Sequence, residues 1–361
     1  LLQQLTRSTP TIYDAAEARR HATADDPWAK AWLARNPAGF GSFALESCEP
    51  WRETIFRANP AGASTPAFDR VRFIAVPGRA KRLAMMRAGE IDLLLDLDPA
   101  EYLALQNVAG VQVHRARSGA HIAMMMQCQM PPFDNPLVRQ AVAWAIPYRR
   151  ILAQVYLGTA TPWRSPLPWP TPMATEQFWR YDYDPDRARS LLTEAGFAGG
   201  FDTELFVDAS NAEHGACGEI IVEALADIGI RVALERLDSG TFWFGGRYLR
   251  PFPMLIWEDW HQVPDPYYGL VHDYDPSRLG LINVGQYQSE RISELIREVE
   301  NEPSPVGRTA LLTEAQRIIM AESPDVYLAQ PAVMAATRDT IGGFFFPPDR
   351  ALRFDLLTKD A

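Results

Sequence analysis

The sequence predicts an α/β protein of more than one lobe. Three observations lead there. The 361 residues exceed a single domain, which usually runs to roughly 100–200 residues. Strand-like and helix-like segments alternate, most clearly as β-α-β between residues 201 and 237, an order that suits a partly parallel sheet. A hydrophobic fraction of 47% with 22% charged residues is that of an ordinary globular chain, long enough to bury a large core without cross-links.

Each element has a local reason. "GSFALES" (41–47) and "WRETIFRAN" (51–59) flank a Cys-Glu-Pro turn and read as a hairpin. "FDRVRFIAVP" (68–77) alternates like a further strand. "GRAKRLAMMRAGEIDLLLDL" gives a helix stopped at Gly89, then a strand entering at Ile91. Asp98-Pro99 opens a short helix. "GVQVHRARSGAHIAMMMQC" (110–128) is two extended segments around Ser118-Gly119, where a lobe crossing is expected.

In "FDNPLVRQAVAWAI", Asn135 caps, Pro136 takes the first helical position, and Val138, Ala141, Val142 and Ala145 form one apolar face. Pro147 starts a second helix that ends at Gly158. A proline-rich loop, "TATPWRSPLPWPTP" (159–172), follows. Asp184 and Pro185 open a third helix that ends at Gly196. Two helices, "SERISELIREVEN" and "VGRTALLTEAQRIIMAES", come near the end with Pro303 and Pro305 between them. An apolar stretch, "VYLAQPAVMAA", and the loop "IGGFFFPP" come after these.

Composition excludes several classes. A net charge of −10 argues against a nucleic-acid partner. Cys48, Cys128 and Cys217 are odd in number and far apart, so no disulfide framework or zinc spacing is read. No apolar run approaches the roughly 18 residues of a membrane span. "LLQQLTRSTPTIYDAAEARR" lacks the three regions of a signal peptide and reads as the inside of a domain. A natural start upstream, with any localisation signal, is therefore expected.

Catalytic motifs are missing: no P-loop, GxGxxG, HExxH or GxSxG occurs. His21, His114, His121, His214, His261 and His272 include no pair at metal-ligand spacing, so no metal site is expected. "DYDP" at 182–185 and 273–276 reads as turn and cap chemistry. What stands out is aromatic. Trp163, Trp169, Trp243, Trp257 and Trp260 sit in predicted loops, either as anchors packed on their own lobe or as stacking walls for a ligand. The pair Trp257 and Trp260, beside Glu258 and Asp259, is the strongest ligand candidate.

The order of motifs resembles the family 5 extracellular solute-binding proteins, the peptide, nickel and oligosaccharide receptors of ABC importers. The resemblance rests on "NPAGFGSFALESCEPWRETIFRANP", "RLAMMRAGEIDLL", "PPFDNPLVRQAVAWAIPYRRILAQVYLGTATP", "YDPDRARSLLTEAGF", "IWEDWHQVPDPYYGL", "VGQYQSERISELIREV" and "RTALLTEAQRIIMAESPDVYLAQP". These run in the family's order from about Asp26 to the end. It implies a two-lobed, type II periplasmic-binding fold of the cluster C kind, with a hinge and a first lobe lacking its N-terminal part. Residues 1–118 would be lobe I, 119–328 lobe II and 329–361 the return to lobe I.

The implied function is a non-enzymatic, periplasmic receptor, acting as a monomer, that closes on a small solute and presents it to permease and ATPase subunits. A nickel or haem role is known for some members, but only isolated histidines speak for one here, so no cofactor and no metal are expected. The expected ligand contacts are Trp243, Arg247, Trp257, Glu258, Asp259, Trp260, His261 and Gln262. Where peptide-binding members place an aspartate for the α-ammonium group, this chain has Gln262, so Asp259 takes over that pairing or the solute lacks the amine. Arg247 would face a carboxylate. Two solute classes stay open: a peptide-like or opine-like molecule, and an oligosaccharide or glycoside stacked on the tryptophans. A hydrolase using Glu258 or Asp259 as acid is remote, because neighbours on an extended segment point to opposite sides.

Overall fold

Local signals set most helix starts, while the helix after Pro147, expected to end at Gly158, stops at Gln154, and the one after Asp184, expected to end at Gly196, stops at Glu194. The protein is represented by a computed structural model that describes residues 13–36, 38–62, 64–245, 252–261, 263, 265–278, 283–347 and 352–360. Two short helices, α1 (Ala15–Arg20) and α2 (Lys30–Leu33), come first. Strands β1 (Phe43–Glu49), β2 (Glu53–Ala58) and β3 (Arg70–Ile74) form an antiparallel meander. Helix α3 (Arg79–Ala88) ends on Gly89 at φ 72°, a left-handed cap that favours glycine. Then come β4 (Leu93–Leu94), α4 (Pro99–Leu105), β5 (Val111–Arg117) and β6 (Ala120–Met126). Asp98 and Glu101 cap α4 reciprocally.

The middle of the chain supplies α5 (Pro136–Ala145), α6 (Tyr148–Gln154), α7 (Pro185–Glu194), β7 (Phe201–Asp208), α8 (Ala212–Ala226), β8 (Ile230–Leu237) and β9 (Met254–Trp260). The last third has α9 (Pro266–Tyr274), α10 (Glu290–Asn301), α11 (Pro305–Glu322), β10 (Asp325–Ala329), β11 (Ala332–Arg338), β12 (Ile341–Gly342) and β13 (Thr358–Lys359). Pro305, expected between helices, is the first residue of α11, where its missing N–H costs nothing. The apolar stretch 326–336 is two strands broken at Pro331.

The chain divides into two compact units, 1–116 with 333–361, and 117–332. The first holds the β1-β2-β3 meander, a three-stranded β4-β11-β5 sheet and the β12-β13 pair. Its buried charge is Glu101, whose Oε1 accepts from Arg82 Nε at 3.0 Å and whose Oε2 accepts from the Asp98 N–H at 3.1 Å.

The second unit is built on a five-stranded sheet in the order β10-β6-β9-β7-β8. β6 runs antiparallel to both neighbours, while β9, β7 and β8 are mutually parallel. β6 is buried along its whole length. The α5 face foreseen from spacing, Val138, Ala141, Val142 and Ala145, is fully buried in the core on this sheet. A second apolar cluster joins α9, α10 and α11 through Leu270, Ile292, Leu295, Leu312 and Ile319. The proline-rich loop is pinned by two glutamines. Ser165 Oγ donates to Gln316 Oε1 at 3.0 Å, and Gln330 Nε2 donates to the Trp169 carbonyl at 3.0 Å.

Candidate functional site

In open α/β sheets, ligand sites form beyond the carboxyl ends of parallel strands. In the second unit those ends are Asp208 on β7, Leu237 on β8 and Trp260 on β9. The segment expected as a loop, Trp257 to Trp260, is the end of β9. The run Leu255-Ile256-Trp257 has strong strand propensity, which outweighs the polar residues after it. His121 pairs with Asp259 and Ala123 with Trp257, so His121, Trp257 and Asp259 share one sheet face. Glu258 and Trp260 take the other. Glu258 and Asp259 are therefore not a facing carboxylate pair.

Trp257 is 1% exposed, so this expected wall residue is a core residue. It backs Trp243, which is 37% exposed, at a ring-centroid distance of 4.4 Å. Trp243 lies in a one-turn π-helix, Thr241–Gly245, and its Nε1 donates to Asp208 Oδ2 at 3.0 Å. Asp208 also accepts from the Ser210 N–H and Oγ and from Ser239 Oγ. Burial alone would raise its carboxyl, but these donors, Ser239 foremost, hold it below the usual carboxylate range.

On the other face, Glu258 Oε2 lies 3.7 Å from His214 Nε2 and accepts from Asn211 Nδ2 at 3.4 Å. Burial pulls His214 down to about 4, so the ring is neutral at pH 7 and gives Glu258 no countercharge. Asp259 Oδ1 accepts the Trp260 N–H at 2.7 Å and its Oδ2 accepts from Trp257 Nε1 at 3.4 Å. Trp260 is 43% exposed. Arg247 and Gln262, both expected in the site, lie outside the described residues.

His261 is not a surface hydrogen-bonding residue. Its side chain is 3% exposed and faces Asp273 Oδ2 through Nε2 at 2.9 Å. Asp273, in a motif expected as turn and cap chemistry, has a different role from Asp265 at the other end of α9. Asp265 Oδ1 caps α9 through the Tyr267 N–H. Asp273 is buried in the last turn of α9, with His272 Nδ1 2.7 Å from its Oδ1. Burial alone would raise Asp273, but His261 and His272 hold it well below the carboxylate range. His121 completes this group, its ring 4.9 Å from that of His261. Burial and then His261 pull His121 down to about 4.

Sequence reasoning missed Asp208, Ser210, Asn211, His214 and Ser239. They stand on elements far from residue 257 in the chain, and only the β7–β9 pairing brings them near. The signal available was positional: Asp208 is the last residue of a predicted parallel strand. Of the other loop tryptophans, Trp163 is buried between His121 and Tyr327. Trp169 is 40% exposed under the Arg117 guanidinium at 4.4 Å.

Residues 2–280 match the family described as Bacterial extracellular solute-binding proteins, family 5 Middle. Among curated relatives, the glutathione-binding protein GsiB of Escherichia coli K12 is 24% identical over 336 residues, covering 88% of this chain. This chain spans 64% of that relative's length. Among solved structures, the periplasmic binding protein DppA of Helicobacter pylori, in complex with the peptide STSA, has a TM-score of 0.84 at 24% identity. That match covers 100% of this chain and 70% of the other. AgaA of A. tumefaciens R10, in complex with agropinic acid, has a TM-score of 0.78 at 18% identity, covering 97% of this chain and 74% of the other. The match over residues 2–280 places the chain in family 5 of the bacterial extracellular solute-binding proteins.

Proposed function

We propose that this chain is the solute-binding receptor of an ABC importer, acting outside the cytoplasm and handing its solute to permease and ATPase subunits. Its solute is peptide-like or opine-like and carries a cationic group. The observation that carries this reading is the set of side chains at the carboxyl ends of β7 and β9. There the Trp243 indole lies beside the Asp208 carboxylate, and Trp260 offers a second exposed indole at the end of the strand that carries Glu258 and Asp259 on its two faces. Indole faces suit the apolar parts of a small solute, and a carboxylate suits an ammonium group. Arg247 remains the proposed partner of a solute carboxylate and Gln262 a neutral hydrogen-bonding contact. His261 and Trp257 support the wall from behind.

Similar proteins point the same way, since those named above are described with a peptide, with glutathione and with agropinic acid. No helix among the described residues is long and apolar enough to cross a membrane. Intrinsic tryptophan fluorescence tests the reading. Titration with dipeptides such as Met-Leu should change the emission, and N-acetylation of the same peptide should weaken binding at least tenfold. Equal binding of the free and acetylated peptides would remove the carboxylates from the site, and a response to cello- or xylo-oligosaccharides alone would favour a sugar receptor.

A further inference from the structure

We propose that His121, His261 and Asp273 form a binding site for a divalent transition-metal ion of the zinc type. The three come from separate elements: the start of β6, the residue after β9 and the last turn of α9. One donor atom from each lies within 4.8 Å of the others. No spacing in the sequence reveals this, because the nearest two are twelve positions apart.

Two imidazoles and one carboxylate are a nitrogen-rich donor set. It suits zinc and its neighbours and not calcium or magnesium, which take oxygen ligands. The His121 Nδ1 faces the Gly119 carbonyl at 3.1 Å. A carbonyl only accepts, so Nδ1 carries the proton and Nε2 keeps the lone pair that a metal needs. Asp273 is fixed on its outer side, where Oδ1 accepts from His272 Nδ1 at 2.7 Å. Such an outer contact orients a ligating carboxylate.

Hydrogen bonds alone leave the group incomplete. The buried Nδ1 of His261 has no hydrogen-bond partner, and such an orphan in a native interior calls for an explanation such as an ion or water. The ring packs closely on α9: a side chain of even one carbon at Gly269 would stand 2.9 Å from His261 Cε1. A tetrahedral ion with ligands at about 2.0–2.1 Å holds its donors roughly 3.4 Å apart. Binding through His261 Nε2 therefore draws the group together by up to about 1.5 Å, and the proton that Nε2 shares with Asp273 moves to Nδ1 of the same ring. A fourth position is left for water or another small ligand.

The full chain, stripped with a chelator, is titrated with Zn²⁺ by calorimetry and with Co²⁺ by visible absorption. One equivalent should bind, and Co²⁺ should show the ligand-field absorption of a four-coordinate site. His121→Phe, which keeps a ring against Trp163, and Asp273→Asn should each weaken binding by at least about tenfold. His114→Ala, in the other unit, should leave it unchanged. The absence of stoichiometric uptake by the parent protein overturns the proposal, whether or not a variant folds. Uptake by folded His121→Phe equal to that of the parent overturns it too.

Discussion

The indole N–H of Trp243 donates to Asp208 Oδ2 at 3.0 Å, which ties the exposed ring to the end of β7. Two serines supply the other donors to this carboxylate, Ser210 with both its N–H and its hydroxyl. Asparagine offers one acceptor oxygen and turns an NH₂ group toward the remaining donors. Asp208→Asn should therefore cost about 1–3 kcal/mol of stability and weaken solute binding by releasing Trp243. Urea denaturation and fluorescence titration check both. A variant as stable and as tight as the parent would contradict this role. Asp208 is held below its usual range in the folded protein, so its contribution is present above the unfolded carboxylate pKa and is lost as pH falls through the folded value.

Trp260 stands at the other strand end and is nearly half exposed. Trp260→Ala should reduce solute affinity at least tenfold, while the stability of the solute-free protein changes by no more than about 0.5 kcal/mol, as for other surface changes. Calorimetric titration and thermal denaturation, run together, separate the two effects. Unchanged affinity in an equally stable variant removes Trp260 from the site.

Glu101 is fully buried in the first unit, paired with Arg82 and closing the cap of α4. Removing one member of a buried pair leaves the other uncompensated. The Arg82 side chain retains 29% exposure, which lowers the cost below that of a fully buried pair, to about 2–4 kcal/mol for Glu101→Ala. Chemical denaturation measures it, and a loss below about 1 kcal/mol would mean that the pair contributes little beyond an exposed one.

His214 is buried with both ring nitrogens lacking hydrogen-bond partners. Burial lowers its pKa to about 4 in the folded state, against about 6.5 unfolded. The unfolded chain therefore takes up the proton first, and stability is lost as pH falls from about 6.5 toward 4, by about 3 kcal/mol in full. His214→Leu should gain about 1 kcal/mol at pH 7 and flatten this acid limb. In metal-free protein, His121, also near 4, keeps part of the slope. Denaturation across that pH range gives the result, and an unchanged limb would show that the ring is not held neutral.

Most of the architecture could be read from the chain because its signals are local. Asn135-Pro136, Asp184-Pro185 and Asp98-Pro99 each combine a capping side chain with a proline at the first helical position, and each starts a helix. The alternation around residues 201–237 became the parallel pair β7 and β8. The site was less legible. Trp257 and Trp260 look alike in sequence, yet one is core and one exposed, because β9 is buried on both faces from Met254 to Trp257 and Trp260 is its last, exposed residue. Asp208 and Trp243 are 35 residues apart and meet only through folding. Asp273 sits in a motif, "DYDP", that also occurs at 182–185 as an ordinary helix start, so its burial against two histidines has no local mark.

The central claim is that this chain binds a peptide-like or opine-like solute. A thermal-shift screen against di- and tripeptides, opines and cello-, xylo- and gluco-oligosaccharides tests it most directly. A solute that binds only the folded form adds about 2.7 kcal/mol at a hundred times its Kd, a readily visible shift. Stabilisation by peptides or opines, reduced in Trp243→Ala and in Asp259→Asn, is the expected result. Stabilisation by oligosaccharides alone would contradict the claim and leave the indoles, without the carboxylates, as the basis of recognition.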